Sequence, residues 1–338
     1  MIRRKNEDVI WQGWERSGGG FVRVSRAGHL TGLTDLPRAG RNVEVKPYTL
    51  GAVDQERVEN PPPSRPDATR TVPAGAVGLD LKAELRPGLV LDATVNTDFA
   101  QVEVDDQQVN LTRFSLFFPE KREFFLENQG AFQIGPATGT GNNQTTNFVP
   151  FFSRTIGLSD TGDPIPVVGG LRLTGKVGRN SLALLNMQVD TQPAAAGRPE
   201  LPSANYSVFR YGREFLSNSS VGAFFMDKER GVTTNRLGGV DLRYYPRRTI
   251  NIDGMLMRSQ RTGVDDGTAW RAGIQADPGR TQYILNYTSL GDTFRDELGF
   301  IPRQGVNVTT GTLMHRFRPL ALAPRVREIR PQIDYSRF

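Results

Sequence analysis

The chain has 338 residues, of which 37% are hydrophobic, and it carries a formal net charge of +6. It contains no cysteine and only two histidines, His29 and His315, which excludes cysteine-ligated zinc, iron–sulfur clusters and thiol nucleophiles and gives little support to a histidine-rich metal site. No run of about eighteen apolar residues could form a transmembrane helix, and the arginines are scattered rather than concentrated as in a nucleic-acid binder. A transmembrane β-barrel fits this composition, because only every second residue of each strand must be apolar.

The opening sequence, MIRRKNEDVIW, is basic but has neither the apolar stretch nor the small-residue cleavage site of a secretory signal peptide. A β-barrel must be exported, so we expect the chain to begin inside a longer protein. The last residues, PQIDYSRF, read as part of a strand. We therefore interpret both ends as cuts.

Alternating apolar and polar residues predict a series of strands that starts with residues 43–50. The clearest hairpin runs from Val77 to Asn96 around a tight turn at Arg86-Pro87-Gly88. The same pattern recurs around turns at Gly178–Asn180, Ser217–Ser219, Pro246–Arg248 and Asp277–Arg280. It predicts about thirteen strands, and because bacterial barrels have even strand numbers, we expect further strands after Phe338.

Longer connections are predicted between these hairpins: Asp54–Ala76, Thr191–Ala204, Lys228–Arg236, Gln260–Thr268 and Ser289–Gly305. Strict alternation of tight turns and long loops is typical of transmembrane barrels and has no reason to occur in a soluble sandwich. The predicted fold class is therefore an all-β, transmembrane, antiparallel up-and-down β-barrel. A soluble β-sandwich is the alternative.

The alternation also assigns side chains to the two faces of the wall. We expect one apolar set to face lipid: Leu79, Leu81, Leu91, Leu185, Ile252 and Leu285. A charged set should face inward: Lys82, Arg172, Arg243 and Arg271. Such a mixed lining suits a wet or plugged lumen and does not identify a solute.

Residues 97–167 break the strand pattern and combine aromatic with charged residues. We expect this segment to plug the lumen or to cap it from outside; the alternative is two more strands and an ordinary loop. Paired carboxylates could cleave a glycosidic bond, and several together could bind calcium, but the neighbouring basic residues make salt-bridged acids the simpler interpretation. We predict no catalytic residue, no metal and no cofactor. The candidates for contact with a ligand or the lumen are Asp98, Glu103, Asp105, Arg113, Glu120, Lys121, Arg122, Glu127, Arg172 and Arg243.

Within that segment, Phe117–Glu127 is apolar at both ends and charged in the middle. Exposed aromatics would create an apolar patch that surfaces rarely tolerate, so we expect Phe118, Phe124 and Phe125 to be buried against the wall. The charges should pair with lumen residues such as Arg172 or Asp92. Mostly exposed rings would instead favour a tip that stacks on an external ligand.

Several strings resemble a bacterial family of outer-membrane barrels, domain-of-unknown-function family 5916. The strings are VNTDFAQVEVDDQQVNLTRFSLFFPEKREFFLENQGAFQ, then Phe152–Gly157, Gly169–Lys176 and Leu298–Arg303. Thr97 and Val104 depart from the residues usual in that family. The resemblance implies a β-barrel that follows a domain similar to the family-9 carbohydrate-binding modules, and residues 1–42 look like the junction with that missing domain.

These inferences give four predicted parts: a junction at residues 1–42, first barrel strands at 43–96, the plug-like or cap-like segment at 97–167, and further strands at 168–338. The predicted function is an outer-membrane protein for passage, capture or assembly of an extracellular ligand, possibly a glycan. The expected partners are outer-membrane lipid and that ligand, not nucleic acid. The alternatives are a membrane anchor for a carbohydrate-binding or carbohydrate-processing protein and a soluble β-sandwich binding module.

Overall fold

The computed structural model of the protein describes residues 31–32, 42–57, 69–96, 117–136, 148–159, 162, 164–194, 199–216, 218–319, 326 and 328–338. The chain divides into two compact units, residues 1–40 and 41–338. In the first unit only Thr31 and Gly32 are described, and both are exposed. The following description concerns the second unit.

Thirteen strands form one antiparallel sheet in which every strand pairs with its neighbours in sequence. The strands are β1 (Val43–Arg57), β2 (Thr69–Arg86), β3 (Leu89–Val95), β4 (Val167–Val177), β5 (Asn180–Val189), β6 (Ala204–Phe215), β7 (Ser219–Arg230), β8 (Thr233–Arg247), β9 (Ile250–Arg261), β10 (Val264–Ala276), β11 (Thr281–Leu290), β12 (Val306–His315) and β13 (Gln332–Arg337). β1 and β13 are the two edges, so the described sheet is not closed. The predicted all-β, up-and-down fold and its strand number are confirmed, and a single continuous sheet contradicts the two-sheet sandwich.

Helical structure is sparse in the described residues. One turn of α-helix, α1, covers Glu123–Leu126, and short 3-10 helices cover Gln129–Phe132 and Ser153–Thr155. Among the residues that the structure describes, no helix is both long and apolar enough to cross a bilayer.

Pairing register assigns the strand residues to two faces with different chemistry. On one face, Tyr244, Ile252, Ile274 and Leu285 are direct neighbours across β8–β11. One residue away on the opposite face, Arg243, Asp253, Gly273 and Asn286 are direct neighbours across the same strands. We call the first face outward and the second face inner. Because side chains alternate along a strand, one register produces an apolar row and a polar row together.

The outward face is apolar over successive strands and keeps large side chains exposed. Leu256 is 55% exposed and Leu285 is 53% exposed. Other exposed outward residues are Leu79, Leu171, Phe209, Phe225, Val240, Trp270, Ile274 and Leu313. The Trp270 and Tyr287 rings stack on this face with centroids 4.8 Å apart.

Leu185 corrects the predicted division between faces. It pairs directly with Arg172 and with Val208, so it lies on the inner face and is buried. The predicted lipid-facing position of Leu185 is wrong, because β5 is apolar on its inner face at Ala183, Leu185, Met187 and Val189. Leu79, Leu81, Leu91, Ile252 and Leu285 do lie on the outward face, and Lys82, Arg172, Arg243 and Arg271 do lie on the inner face.

Two of the predicted long connections are tight turns instead. β7 and β8 are joined by Gly231-Val232, and β9 and β10 by Thr262-Gly263. Gly231 and Gly263 have φ of 56° and 76°, the left-handed region that glycine adopts readily. Strict alternation of tight and long connections is therefore wrong at these two positions. The long connections before β6 and β12 are confirmed, at residues 190–203 and 291–305.

The core lies on the inner face rather than between two sheets. Buried strand residues such as Met187, Val208, Met226 and Met257 belong to one cluster with Phe125, Phe132, Ile156 and Phe294 from the connections. Segments that connect the strands therefore fold back over the inner face and cover part of it. We call residues 117–136, 148–159 and 291–301 together the inner assembly.

Candidate functional site

Three of the strings that carry the family resemblance meet in the inner assembly. Phe117 stacks on Phe152 with ring centroids 5.0 Å apart and meets the edge of Phe300 at 5.2 Å. The Phe152 and Phe300 rings are 6.0 Å apart. Aromatic pairs at these separations contribute about 0.5–1.5 kcal/mol each beyond their buried area. Segments nearly 200 positions apart in the sequence thus share one aromatic cluster.

Backbone hydrogen bonds align two of these segments. Val149 and Phe300 exchange N–H···O bonds of 3.0 and 2.8 Å, as in an antiparallel pair. The Phe152 N–H donates to the Leu298 carbonyl at 2.8 Å. This pairing satisfies backbone groups that would otherwise be buried without partners.

Glu120 and Arg122 form a buried ion pair at the centre of the assembly. Arg122 Nε donates to Glu120 Oε1 at 2.8 Å, and Arg122 Nη2 donates to Oε2 at 2.7 Å. Ser153 Oγ donates to Oε2 at 2.7 Å, and the backbone N–H groups of Lys121 and Arg122 donate to Oε1. Arg122 also donates to the carbonyls of Ser153 and Ile156. The pair therefore ties residues 120–122 to residues 153–156.

This arrangement fixes the protonation state of Glu120. Burial pushes the pKa of Glu120 upward, but the hydrogen bonds and charge of Arg122, together with Ser153, outweigh it and hold the pKa below its ordinary value. Five donors surround the carboxylate, which leaves little capacity for proton transfer. The geometry fits a structural role for Glu120.

Arg172 connects the wall to the inner assembly. Its side chain is 2% exposed and donates to Asp92 Oδ2 through Nε at 3.1 Å and Nη2 at 2.8 Å. Arg172 Nη1 donates to the carbonyls of Phe124 and Glu127, the latter at 2.7 Å, and Nη2 lies 3.3 Å from Glu127 Oε2. The guanidinium also lies 4.9 Å from the Phe124 ring centroid. Arg172 therefore binds the strand β3 and α1 at once.

Glu127 completes this second cluster. It accepts a hydrogen bond from Lys82, whose charge and that of Arg172 lower the pKa of Glu127 despite partial burial. On the other side of α1, Lys46 lies 3.7 Å from Glu123. Three basic residues of β1, β2 and β4 thus contact the segment around α1.

A third cluster attaches residues 291–301 to the wall, and it was not predicted from the sequence. Glu297 lies 2.7 Å from Lys228 Nζ and 2.5 Å from Arg261 Nε. Asn235 accepts the Glu297 N–H at 3.0 Å and donates to the Arg295 carbonyl at 3.1 Å. Burial tends to raise the pKa of Glu297, but Lys228 and Arg261 lower it below its ordinary value. The one available signal was position: Glu297 directly precedes the string Leu298–Arg303, and Lys228 occupies an inner-face position of β7.

Asp296 next to it behaves oppositely. Burial raises the pKa of Asp296 to about 8, although the backbone N–H of Leu298 donates to Oδ1 at 3.1 Å. The carboxyl group is therefore protonated at neutral pH.

The candidate residues predicted from the sequence lie in separate clusters. Glu120 and Arg122 share one cluster, Glu127 and Arg172 share another, and Arg243 lies apart, with Nη2 3.2 Å from the Gly135 carbonyl. Lys121 contributes its backbone N–H to Glu120. Asp98, Glu103, Asp105 and Arg113 lie outside the described residues.

The burial predicted for the aromatic segment is confirmed, since Phe125 is buried and Phe118 and Phe124 are half-buried. The prediction that this segment contacts lumen residues such as Arg172 is also confirmed, since Arg172 donates to the carbonyls of Phe124 and Glu127. However, Glu120 and Arg122 pair with each other and with Ser153 rather than with Arg172 or Asp92. Within the described ranges, no group of three or more His, Cys, Asp or Glu side chains is placed to hold a metal ion.

Comparison with known proteins gives one family and a weak structural likeness. Residues 44–138 match the family described as Domain of unknown function (DUF5916), which confirms the resemblance over that part of the chain. No curated protein matches the sequence. A solved structure titled "OmpT (in-vitro folded), an outer membrane protein Vibrio cholerae (trimer form)" is 10% identical, with 88% of this chain and 100% of that chain covered and a TM-score of 0.29. That score is too low to assign a fold, so the all-β, up-and-down fold is assigned from the strand order and from the two faces of the sheet.

Proposed function

We propose that this chain forms a β-barrel wall in a bacterial outer membrane and that the inner assembly plugs its lumen. The protein would then control the passage or capture of a polar extracellular solute. The observation that carries the proposal is the outward face, where large apolar side chains remain exposed along successive strands. Soluble proteins rarely expose apolar surface of this extent, whereas a lipid-facing barrel wall requires it.

The inner face supports the second half of the proposal. Its polar rows include Asp241, Arg243, Asp253 and Arg271, which a lipid-facing or dry position would strongly disfavour. Two ion-pair clusters hold the inner assembly against this face, and a third binds segments of the assembly to each other. A barrel that served only as an anchor would not require this attachment. The clusters favour no glycan over another polar solute, so the proposal stops at polar solutes.

We also propose that Glu120 and Glu127 have no catalytic role. Both carboxylates are engaged by basic side chains that bind the inner assembly together or to the wall. The expected partner of the outward face is outer-membrane lipid, with no role for nucleic acid.

Heat-modifiable migration tests the proposal. The full chain is refolded in detergent and run on a denaturing gel with and without boiling; a folded membrane barrel should migrate differently in the two samples. Refolding into lipid vesicles should give the same shift. A chain that stays soluble and monomeric without detergent, with no shift, would refute the membrane assignment.

A further inference from the structure

Five hairpins of the sheet turn at the same end, and each of them carries arginine there. The hairpins are β2–β3, β4–β5, β6–β7, β8–β9 and β10–β11, since consecutive antiparallel strands reverse direction at alternate ends of a sheet. Their arginines lie in the turn or within three residues of it, and we call them the basic rim: Arg86, Arg179, Arg213, Arg247, Arg248 and Arg280.

The basic rim is exposed, and its charge is not compensated. None of the six side chains forms an ion pair with another described residue, although carboxylates lie at the same end. Glu214 is instead 2.6 Å from Lys176 Nζ. Asp277 is 2.8 Å from Arg316 Nη1, and Glu328 accepts from two arginines of the β12–β13 connection. These three acids are occupied by other basic residues, so the rim keeps a net positive charge.

Arginines at the opposite end of the strands have acidic partners. Arg236 lies 3.4 Å from Asp227 and 3.3 Å from Glu229. Arg258 lies 2.5 Å from Asp266. Such exposed pairs contribute little to stability, but they neutralise the guanidinium charge locally. Charge is thus balanced around these arginines and unbalanced at the basic rim.

Two arginines of the basic rim lie on the outward face itself. Arg213 pairs directly with Val221, an exposed outward residue. Arg247 pairs directly with Ile250 of the outward row. A guanidinium on a lipid-facing row is tolerated where its long side chain can reach the polar headgroups, because its apolar stem can stay in contact with the hydrocarbon. The outward face and the rim are therefore continuous.

Aromatic side chains precede the basic rim on the outward face. Tyr244 stacks with Phe215 at a centroid distance of 6.3 Å, and it lies three residues before Arg247. Tyr283 is exposed and lies three residues after Arg280. Three residues span about 10 Å along a strand, and less along the membrane normal because barrel strands are tilted. Aromatic residues mark the interfaces of a barrel wall, and each headgroup layer is about 5–8 Å thick. The rim therefore lies at the level of the headgroups.

We propose that the basic rim binds the headgroups of anionic phospholipids at the bilayer surface on this side of the membrane. The guanidinium of arginine donates two parallel hydrogen bonds to phosphate oxygens, which suits it to this ligand. A lipid with net negative charge is favoured over a zwitterionic lipid, since the rim repels a headgroup cation. The inference rests on the proposed function, because the rim reaches a bilayer surface only if the outward face lies in a bilayer.

The spacing of the basic rim favours lipid over an acidic protein or a nucleic acid. Turns of neighbouring hairpins are two strands apart, which is about 10 Å at the usual separation of strands. The arginines thus recur along the boundary with lipid and do not form the single patch that is typical of a nucleic-acid binder. Headgroups line this boundary throughout, whereas a folded partner would contact only part of it.

Lipid titration of the refolded full chain in a neutral detergent tests this inference, with bound lipids counted by native mass spectrometry. The probes are phosphatidylglycerol, which is anionic, and phosphatidylcholine of the same chain length, which is zwitterionic. We expect the wild-type chain to bind phosphatidylglycerol at least about fivefold more tightly, since one arginine near an anionic lipid surface contributes about that factor. Replacement of all six rim arginines by glutamine should abolish the preference, and replacement of the same six by lysine should retain it in part.

Two double variants with the same change in charge provide a matched comparison. Arg213→Gln with Arg247→Gln removes two charges from the basic rim. Arg236→Gln with Arg258→Gln removes two charges from the same face at the opposite end, where carboxylates already occupy both guanidinium groups. The first variant should bind phosphatidylglycerol less tightly, and the second should bind it as the wild-type chain does.

Equal affinity of the wild-type chain for the two lipids would overturn the inference. A preference that survives the loss of all six arginines, or that falls equally in the two double variants, would also overturn it. Heat-modifiable migration of the same samples separates the two proposals. A chain that shifts on boiling but binds both lipids equally refutes the lipid site alone, whereas a chain that does not shift refutes the proposed function.

Discussion

Replacement of Arg172 by methionine tests whether the inner assembly is held to the wall by this one side chain. Arg172 and Asp92 are 2% and 7% exposed in their side chains, so the change leaves a buried carboxylate without its partner. Breaking a buried pair from one side costs about 3–5 kcal/mol. The change also removes two hydrogen bonds to the carbonyls of Phe124 and Glu127.

The loss should concentrate in the segment around α1. A hydrogen bond from a charged donor contributes about 1.5–3 kcal/mol, so even one lost bond should speed local opening about tenfold or more. Hydrogen–deuterium exchange of residues 123–134 measures this opening. We expect their protection to fall in Arg172→Met while the amides of β5–β9 stay protected.

Two further variants test whether Arg172 attaches the segment. In the double variant Asp92→Asn with Arg172→Met, the uncompensated charge is gone, so global stability should recover while residues 123–134 remain poorly protected. Arg258→Met removes an exposed ion pair that contributes about 0–1 kcal/mol, so it should change neither the global stability nor the protection of residues 123–134. Unchanged protection of residues 123–134 in Arg172→Met, or an equal loss throughout β5–β9, would show that Arg172 does not attach the segment.

Three further predictions concern lipid contact, pH and catalysis. Leu256→Arg on the outward face should lower the folding stability measured in lipid vesicles by about 2–4 kcal/mol, while Thr312→Arg on the inner face should lower it much less. Equal losses of stability would contradict the lipid-facing assignment. Because burial raises the folded-state pKa of Asp296, its carboxyl group contributes stability that is fully present below about pH 4 and is lost as the pH rises through about 8. Asp296→Asn should therefore make the free energy of unfolding depend less on pH across that window. An unchanged dependence on pH would contradict this expectation. Glu120→Gln should leave any glycan hydrolysis by the protein unchanged but lower its unfolding temperature; complete loss of hydrolysis with folding intact would establish a catalytic role.

The alternation of apolar and polar residues was sufficient to predict most of the wall. Period-two patterns around a Pro-Gly turn located β2 and β3, and they assigned Leu79 and Leu285 to the outward face, because side chains of a strand alternate whatever covers them. Local signals were weaker at Gly231 and Gly263. There a single glycine with positive φ closes a turn, and the polar residues on both sides resemble a loop.

The position of Leu185 could not be read from its own strand. An apolar row faces either lipid or a packed interior, and only the inner assembly, which contributes Phe125 and Phe132 from more than fifty positions earlier, makes the inner face of β5 a core.

The site residues show the same limit. Charged residues near Phe117–Glu127 were recognisable as a cluster, but their partners were not: Ser153 binds Glu120, and Glu297 joins Lys228 across 69 positions of sequence. Sequence determined which strands form and how their faces alternate, since those depend on neighbours along the chain. Tertiary structure alone decided what covers the inner face, since that depends on segments brought together by folding.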